Sequence, residues 1–373
     1  MFNKSNYIQR LTRQTKILLL GDINSIHLQK WILGLMDDFE LSVFSLDPIN
    51  NASEFQKAIS EKVIVYSNQE KTTIVKNKSS YLKSISFVRK INKEFKPDIV
   101  HAHYATSYGL LGSFVSAKIF LISVWGSDIY EFPKRSFLHK SGIQCILKKA
   151  KLLLSTSYVM AKEISKYVNK DITVIPFGID SEKFNSSTNK LVKENFIVGT
   201  VKSLEDVYGI DRLIESFALF HKTYPKSECH IYGQGSKKVD LEQLVKRLGL
   251  EKFIYFKGIV SNNNVPDVLS QFDVFCALSR EESFGVAVIE ASSCGLPVIV
   301  TNVGGLPEVV ENEKTGFVVQ GELQEIAEKI ALLYNDSELR IKMGENGRQF
   351  VMNKYNWAEN LKQMKSIYAN LIK

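Results

Sequence analysis

Short runs of β-branched and leucine residues alternate with longer amphipathic stretches along the whole chain, and few folds accommodate that alternation. A strand, a helix-length connection and another strand form a βα unit, and such units stack into a parallel sheet covered by helices. Strands are predicted at 16–20, 41–45, 99–101, 119–124, 152–155 and 173–175 in the first half. A second series is predicted at 196–201, 229–232, 253–256, 274–277, 298–301 and 317–319. Between the two series lies a polar, Ser/Asn-rich stretch, DSEKFNSSTNKLVKE, read as a linker over 181–194. The chain of 373 residues therefore divides into a Rossmann-like domain at 1–180, a second at 195–355 and a closing helix at 356–373. Leu361, Met364, Ile367 and Leu371 give that last segment its helical spacing.

Composition excludes several classes. The chain is 45% hydrophobic and 24% charged, which is globular, and no apolar run approaches the roughly 18 residues needed to cross a bilayer. Its first residues, MFNKSNYIQRLTRQTK, lack the apolar core of a secretory signal, so a cytoplasmic protein is expected. Cys145, Cys229, Cys276 and Cys294 are scattered without metal-ligand spacing and read as reduced thiols. Charge is uneven: residues 1–190 carry 27 Lys and Arg against 16 Asp and Glu, whereas 191–373 carry 21 against 24. A basic first half attracts an anionic membrane face or a phosphorylated acceptor. No zinc-finger, KH or RNP-like pattern accompanies the charge, so no nucleic-acid partner is expected.

In parallel sheets, ligands sit beyond the carboxyl ends of strands, and the most informative segment follows one. Residues 279–301 read SREESFGVAVIEASSCGLPVIVT. An acidic loop is followed by a helix that starts near Ser283 or Gly285 and is stopped by Gly295 and Pro297. Its amino end offers unpaired N–H groups and a positive dipole end, which suit a diphosphate. Glu282 and Glu290 are separated by at most about 12 Å, comparable to the reach from a sugar to a ribose across a diphosphate. Carboxylates accept from hydroxyls, although a solvated acidic helix start would show the same residues.

The arrangement Glu-Ser-Phe-Gly-x4-Glu, with Gly304-Gly305-Leu306-Pro307-Glu308 and Thr315-Gly316-Phe317 behind it, resembles family 4 of the retaining GT-B glycosyltransferases. The likeness extends to Val174-Ile175-Pro176-Phe177-Gly178-Ile179-Asp180, to Tyr232-Gly233-Gln234-Gly235, and to Pro97-Asp98-Ile99-Val100-His101-Ala102-His103 and Trp125-Gly126-Ser127-Asp128. It implies α/β GT-B architecture, two Rossmann-like parallel-sheet domains facing across a cleft. It also implies that Glu290 holds the ribose, Glu282 the donor sugar, and Ser283, Phe284 and Gly285 the distal phosphate. Lys202 would neutralise the leaving diphosphate, and the Gly21, Gly233 and Gly235 loops would line the nucleotide sugar. The family works without a metal, and a UDP-sugar is its commonest donor.

Two departures stand out. Where the family commonly places a second cation, six residues after Lys202, this chain has Tyr208; Lys237, Lys238 or Arg280 are candidate substitutes. Where many members carry a histidine before the glycine, this chain has Trp125; His101, His103 or Asp128 could take its place. His27 is either an acceptor contact or a polar residue in a first helical turn.

Residues 79–96 form a basic amphipathic helix, and 132–140, FPKRSFLHK, is a second basic, aromatic stretch. Each is a candidate for contact with an anionic membrane, against the ordinary reading of a helix packed on its sheet. The expected function is a retaining hexosyltransferase acting on a glycan or lipid-linked glycan acceptor in surface polysaccharide biosynthesis, with peripheral contact at the inner membrane face as a candidate location. A sugar-nucleotide epimerase-like enzyme and a nucleotide-sugar-binding scaffold without turnover are the rival readings.

Overall fold

The computed structural model describes residues 14–50, 54–68, 78–185 and 194–373. It divides into two compact units, residues 1–175 with 361–373, and residues 176–360. Of the expected linker, residues 186–193 lie outside the described residues. The helix Trp357–Ile372, expected as a separate closing element, starts in the second unit and ends in the first.

Among the described residues the first unit holds seven parallel strands: β1 (Lys16–Leu20), β2 (Glu40–Ser45), β3 (Val63–Ser67), β4 (Ile99–His103), β5 (Phe120–Val124), β6 (Leu152–Ser155) and β7 (Ile172–Val174). Their spatial order is β3-β2-β1-β4-β5-β6-β7. The second unit has six: β8 (Phe196–Val201), β9 (Ser227–Tyr232), β10 (Ile254–Gly258), β11 (Val274–Ala277), β12 (Val298–Thr301) and β13 (Gly316–Val319), in the order β10-β9-β8-β11-β12-β13. Every pairing is parallel, the registers Leu19↔His101 and Phe275↔Gly199 joining the central strands.

Burial on both sheet faces explains why these strands are continuous apolar runs rather than alternating ones. Ile17, Leu18, Leu19 and Leu20 are all fully buried, each worth about 1.5–3 kcal/mol of apolar transfer. The edge strand β3 was not expected from sequence. Ile64 on it is 55% exposed, so its run lacks the uniform burial that marks the central strands.

The basic helix Lys78–Phe95 buries Ser84, Val88, Ile91 and Phe95, and leaves Lys83, Arg89, Lys90 and Lys93 exposed. Val88, Ile91 and Phe95 pack into the core of its own unit, as the ordinary reading of such a helix requires. The side chains of Tyr81 and Leu82 lie outside the described residues. All four cysteines are unbridged, with Cys145 exposed. Among the described residues, no helix is long and apolar enough to cross a membrane.

Candidate functional site

Strand order reverses direction between β8 and β11 in the second unit, and between β1 and β4 in the first. At such a switch point the loops leaving two neighbouring strands diverge, and the gap between them receives ligands.

In the second unit the residue after β8 is Lys202, and the loop after β11 carries Glu282. The Lys202 ammonium donates to the Glu282 carboxylate, although 80 residues separate them in sequence. Both side chains are only 12% exposed, so the pair is shielded from the screening that weakens surface ion pairs. Lys202 Nζ also lies 4.7 Å from the centroid of the Tyr208 ring, a cation–π contact that holds the ammonium from a second side.

Backbone packing keeps this arrangement rigid. A Cβ at Gly233 would come within 1.8 Å of the Lys202 carbonyl oxygen, and one at Gly235 within 2.4 Å of the Leu204 carbonyl oxygen. The Gly305 N–H donates to the Glu282 carbonyl at 2.9 Å. Beside it Gly304, at φ +52°, sits where a Cβ would be 1.7 Å from the same oxygen. The turns after β9 and β12 thus clamp those carrying Lys202 and Glu282.

Beyond Glu282, Ser283 leads to Phe284, whose buried ring meets Phe177 at 5.9 Å and Tyr355 at 5.4 Å. That anchor fixes the turn into Gly285, the cap of the helix Val286–Ser293. On this helix Val288, Ile289, Ala291, Ser292 and Ser293 are buried; Val286, Ala287 and Glu290 form the half-buried face. Glu290 therefore sits one turn in from the amino end, on the side not consumed by the core.

The cations offered as partners for Lys202 are engaged elsewhere. Arg280 makes a bidentate pair with Asp211, at 2.9 and 2.6 Å, and donates to the Asp206 carbonyl at 2.7 Å. Lys237 pairs with Asp240 and Lys238 with Glu242 on exposed surface. In this structure none of the three stands beside the Lys202–Glu282 pair as a partnerless cation. Arg280 instead ties the β11 loop to the helix Ile210–Thr223, a role its position in an acidic stretch did not signal.

In the first unit the switch point brings Gly21, after β1, against His103, the last residue of β4; a Cβ at Gly21 would lie 3.4 Å from that of His103. The two histidines of His101-Ala-His103 separate clearly. His101 is satisfied on both nitrogens, by Tyr368 Oη at 2.6 Å and Ser123 Oγ at 2.8 Å. His103 is 1% exposed, and neither ring nitrogen has a hydrogen-bond partner among the described residues. Its ring packs against His101 at 4.2 Å and Trp125 at 5.1 Å. Burial pushes its pKa down to about 3, so at neutral pH it is an imidazole with one donor and one acceptor. Leaving such groups unpaired costs about 1–3 kcal/mol. Burial and Lys30 likewise lower His27 to about 4, and His27 meets Trp125 edge-on at 6.0 Å.

Asp128 is corrected. It is fully buried, and its carboxylate accepts from the N–H groups of Ala105 at 2.7 Å, Gly126 at 2.8 Å and Trp125 at 3.3 Å. Burial raises its pKa to about 6 while those N–H groups pull the other way. Its oxygens are spent inside the loop, so Asp128 positions Trp125 and the residues after His103 rather than touching a sugar. The first of those residues, Tyr104, is held at φ +90°, a conformation costing about 1–3 kcal/mol that persists only where its surroundings enforce it.

Most of the chain has counterparts among known proteins. The model described as glycosyl transferases group 1 matches residues 181–350, and that described as glycosyl transferase 4-like matches residues 16–157. The chain belongs to family 4 of the glycosyltransferases. N-acetyl-alpha-D-glucosaminyl L-malate synthase of Bacillus anthracis is 29% identical to this glycosyltransferase over 294 residues, covering 74% of this chain and 75% of the relative. The UDP-Gal:alpha-D-GlcNAc-diphosphoundecaprenol alpha-1,3-galactosyltransferase of Escherichia coli is 26% identical over 316 residues, covering 78% and 80%. Among solved structures, HepE from Anabaena, in complex with UDP and glucose, superposes with a TM-score of 0.79 at 20% identity, covering 95% of this chain and 99% of HepE. The fold is therefore GT-B, and the glycosyltransferase is an enzyme of two parallel-sheet domains.

Proposed function

We propose that this glycosyltransferase moves a sugar, with retention, from a UDP-sugar to a glycan or lipid-linked glycan acceptor in surface polysaccharide assembly. The Lys202–Glu282 pair, buried at the switch point of the second sheet beside the amino end of the helix Val286–Ser293, carries the reading. Donor binding exchanges partners in that pair. The diphosphate takes the ammonium, and sugar hydroxyls donate to the carboxylate. Glu290, one helical turn further on, accepts from the ribose hydroxyls, while Ser283 and the backbone of Phe284 and Gly285 meet the distal phosphate. The turns at Gly21, Gly233 and Gly235 border the bound donor, and Tyr208 orients Lys202. In the transfer the bond from the anomeric carbon to the diphosphate breaks and the acceptor oxygen bonds to the same face of that carbon. The acceptor's proton passes to a diphosphate oxygen. His103 meets a substrate hydroxyl, which would give its unpartnered nitrogens their hydrogen bonds.

Support for UDP comes from HepE, solved with UDP and glucose, and from the galactosyltransferase relative, whose name specifies a UDP-sugar and a diphosphoundecaprenol acceptor. An acceptor of that kind would suit a peripheral protein at the inner face of a membrane. Lys202 and the helix dipole, rather than a metal ion, meet the charge of the departing diphosphate.

Thermal shift with a panel of nucleotides and their sugars tests the donor assignment, because a ligand bound only by the native state raises the melting temperature. UDP-sugars should give the largest shift and Glu290→Ala should abolish it; an undiminished shift removes the ribose assignment. Transfer should survive EDTA. Activity lost to the chelator and restored by a divalent cation would overturn the metal-free reading.

A further inference from the structure

The basic, aromatic stretch of the first unit that the helix Lys78–Phe95 leaves unexplained is 132–140. There the chain makes a 3-10 turn, Phe132–Lys134, and enters the helix Phe137–Lys149, capped by Ser136. Its first two helical residues are large and apolar yet stand in solvent: Phe137 is 80% exposed and Leu138 79%. The same helix buries Ile143, Ile146 and Leu147 on its other side, so its core-facing stripe is complete without them. Adjacent side chains of this unit that include Leu110, Phe114, Phe132, Leu138, Ile146 and Lys149 line a predominantly apolar pocket of about 370 Å³ that is open to solvent.

Charge decides what fits there. The two segments that wall the cavity, 104–118 and 132–149, contain six basic residues, Lys118, Lys134, Arg135, Lys140, Lys148 and Lys149, and no Asp or Glu. Arg89 and Lys149 bracket the ring of Phe114 at the cavity edge, at 5.9 and 5.0 Å. Exposed apolar side chains ringed by cations over an apolar pocket match the cross-section of an anionic leaflet, with phosphates outside and hydrocarbon beneath.

We propose that this face docks on an anionic bilayer, with Phe137 and Leu138 inserted below the phosphates and one lipid chain entering the cavity. The proposal rests on the lipid-linked acceptor of the function proposed above and names the surface that would reach it. Flotation of the full chain with vesicles of phosphatidylglycerol and phosphatidylcholine at about 3:7, against phosphatidylcholine alone, is the test. The protein should float with the anionic vesicles and not with the neutral ones, and binding should fall as salt rises past about 0.5 M. Phe137→Ser/Leu138→Ser should reduce the floated fraction at least about tenfold. Gly142→Trp, at a helical position where an added Cβ meets no atom within 4 Å, should fill the cavity and weaken flotation without unfolding the chain.

Equal flotation of the double serine variant, or of the wild type on neutral vesicles, would overturn the proposal; unchanged flotation of Gly142→Trp would overturn the chain-in-cavity part. Self-association abolished by the double variant, with no vesicle binding, would assign the face to a second copy instead. UDP thermal shift should be the same in all variants. A loss of donor binding and turnover in the wild type would break the proposed function and leave the flotation result standing by itself.

Discussion

Lys202→Met should lower kcat by about 100- to 1,000-fold, the range seen when one preorganised charge-stabilising donor is removed from an active site. The substitution keeps most of the side-chain volume and removes only the ammonium that faces Glu282. Lys202→Arg should recover most of the rate, since a guanidinium supplies the charge and adds a bidentate fork. Steady-state kinetics on a UDP-sugar with a measured melting temperature for each variant separates chemistry from folding. If Lys202→Met transfers within about threefold of wild type at equal stability, the cation is not meeting the leaving group. A large rise in KM at unchanged kcat would make Lys202 a ground-state binding contact only.

Gly304→Ala should abolish donor binding and destabilise the second unit by about 2–4 kcal/mol. Two penalties coincide there. The backbone is at φ +52°, which costs a non-glycine residue about 1–2 kcal/mol, and the new methyl would lie 1.7 Å from the Glu282 carbonyl oxygen. Only displacement of the loop carrying Glu282 relieves the second. Gly249→Ala is the control: its φ is +69° and a Cβ there meets nothing within 4 Å, so it bears the dihedral penalty alone. A denaturant midpoint lowered equally in both variants, with UDP-sugar binding intact in Gly304→Ala, would show that the close approach is immaterial.

The central strands were legible in sequence because a parallel sheet covered on both faces leaves an unbroken apolar run, as at Ile17–Leu20 and Val298–Thr301. The strand β3 was not expected, although Val63-Ile64-Val65-Tyr66 is itself an unbroken apolar run; it lies at the sheet edge, where Ile64 is 55% exposed. The helix that carries Glu290, with Glu282 in the loop before it, was equally readable, since glycine and proline bound it locally. What sequence could not decide were choices settled by distant partners. His101 and His103 differ only through Ser123 and Tyr368, the latter 267 positions from His101. Asp128 resembles a ligand until Ala105, Gly126 and Trp125 turn out to occupy its oxygens. Arg280 reads as one more basic residue of an acidic loop until Asp211, 69 positions away, is seen to pair with it.

Tyr368 bears on biosynthesis as well. Residues 361–373 belong to the first unit, and there the Tyr368 hydroxyl closes the hydrogen-bonding of His101 at the centre of the sheet. Translation delivers the last strand of that unit some 190 residues before Tyr368, at about 5–20 residues per second. For that interval on the ribosome, a buried imidazole beside His103 waits for its phenol. The amino-terminal half is thus the first to be made and the last to be finished.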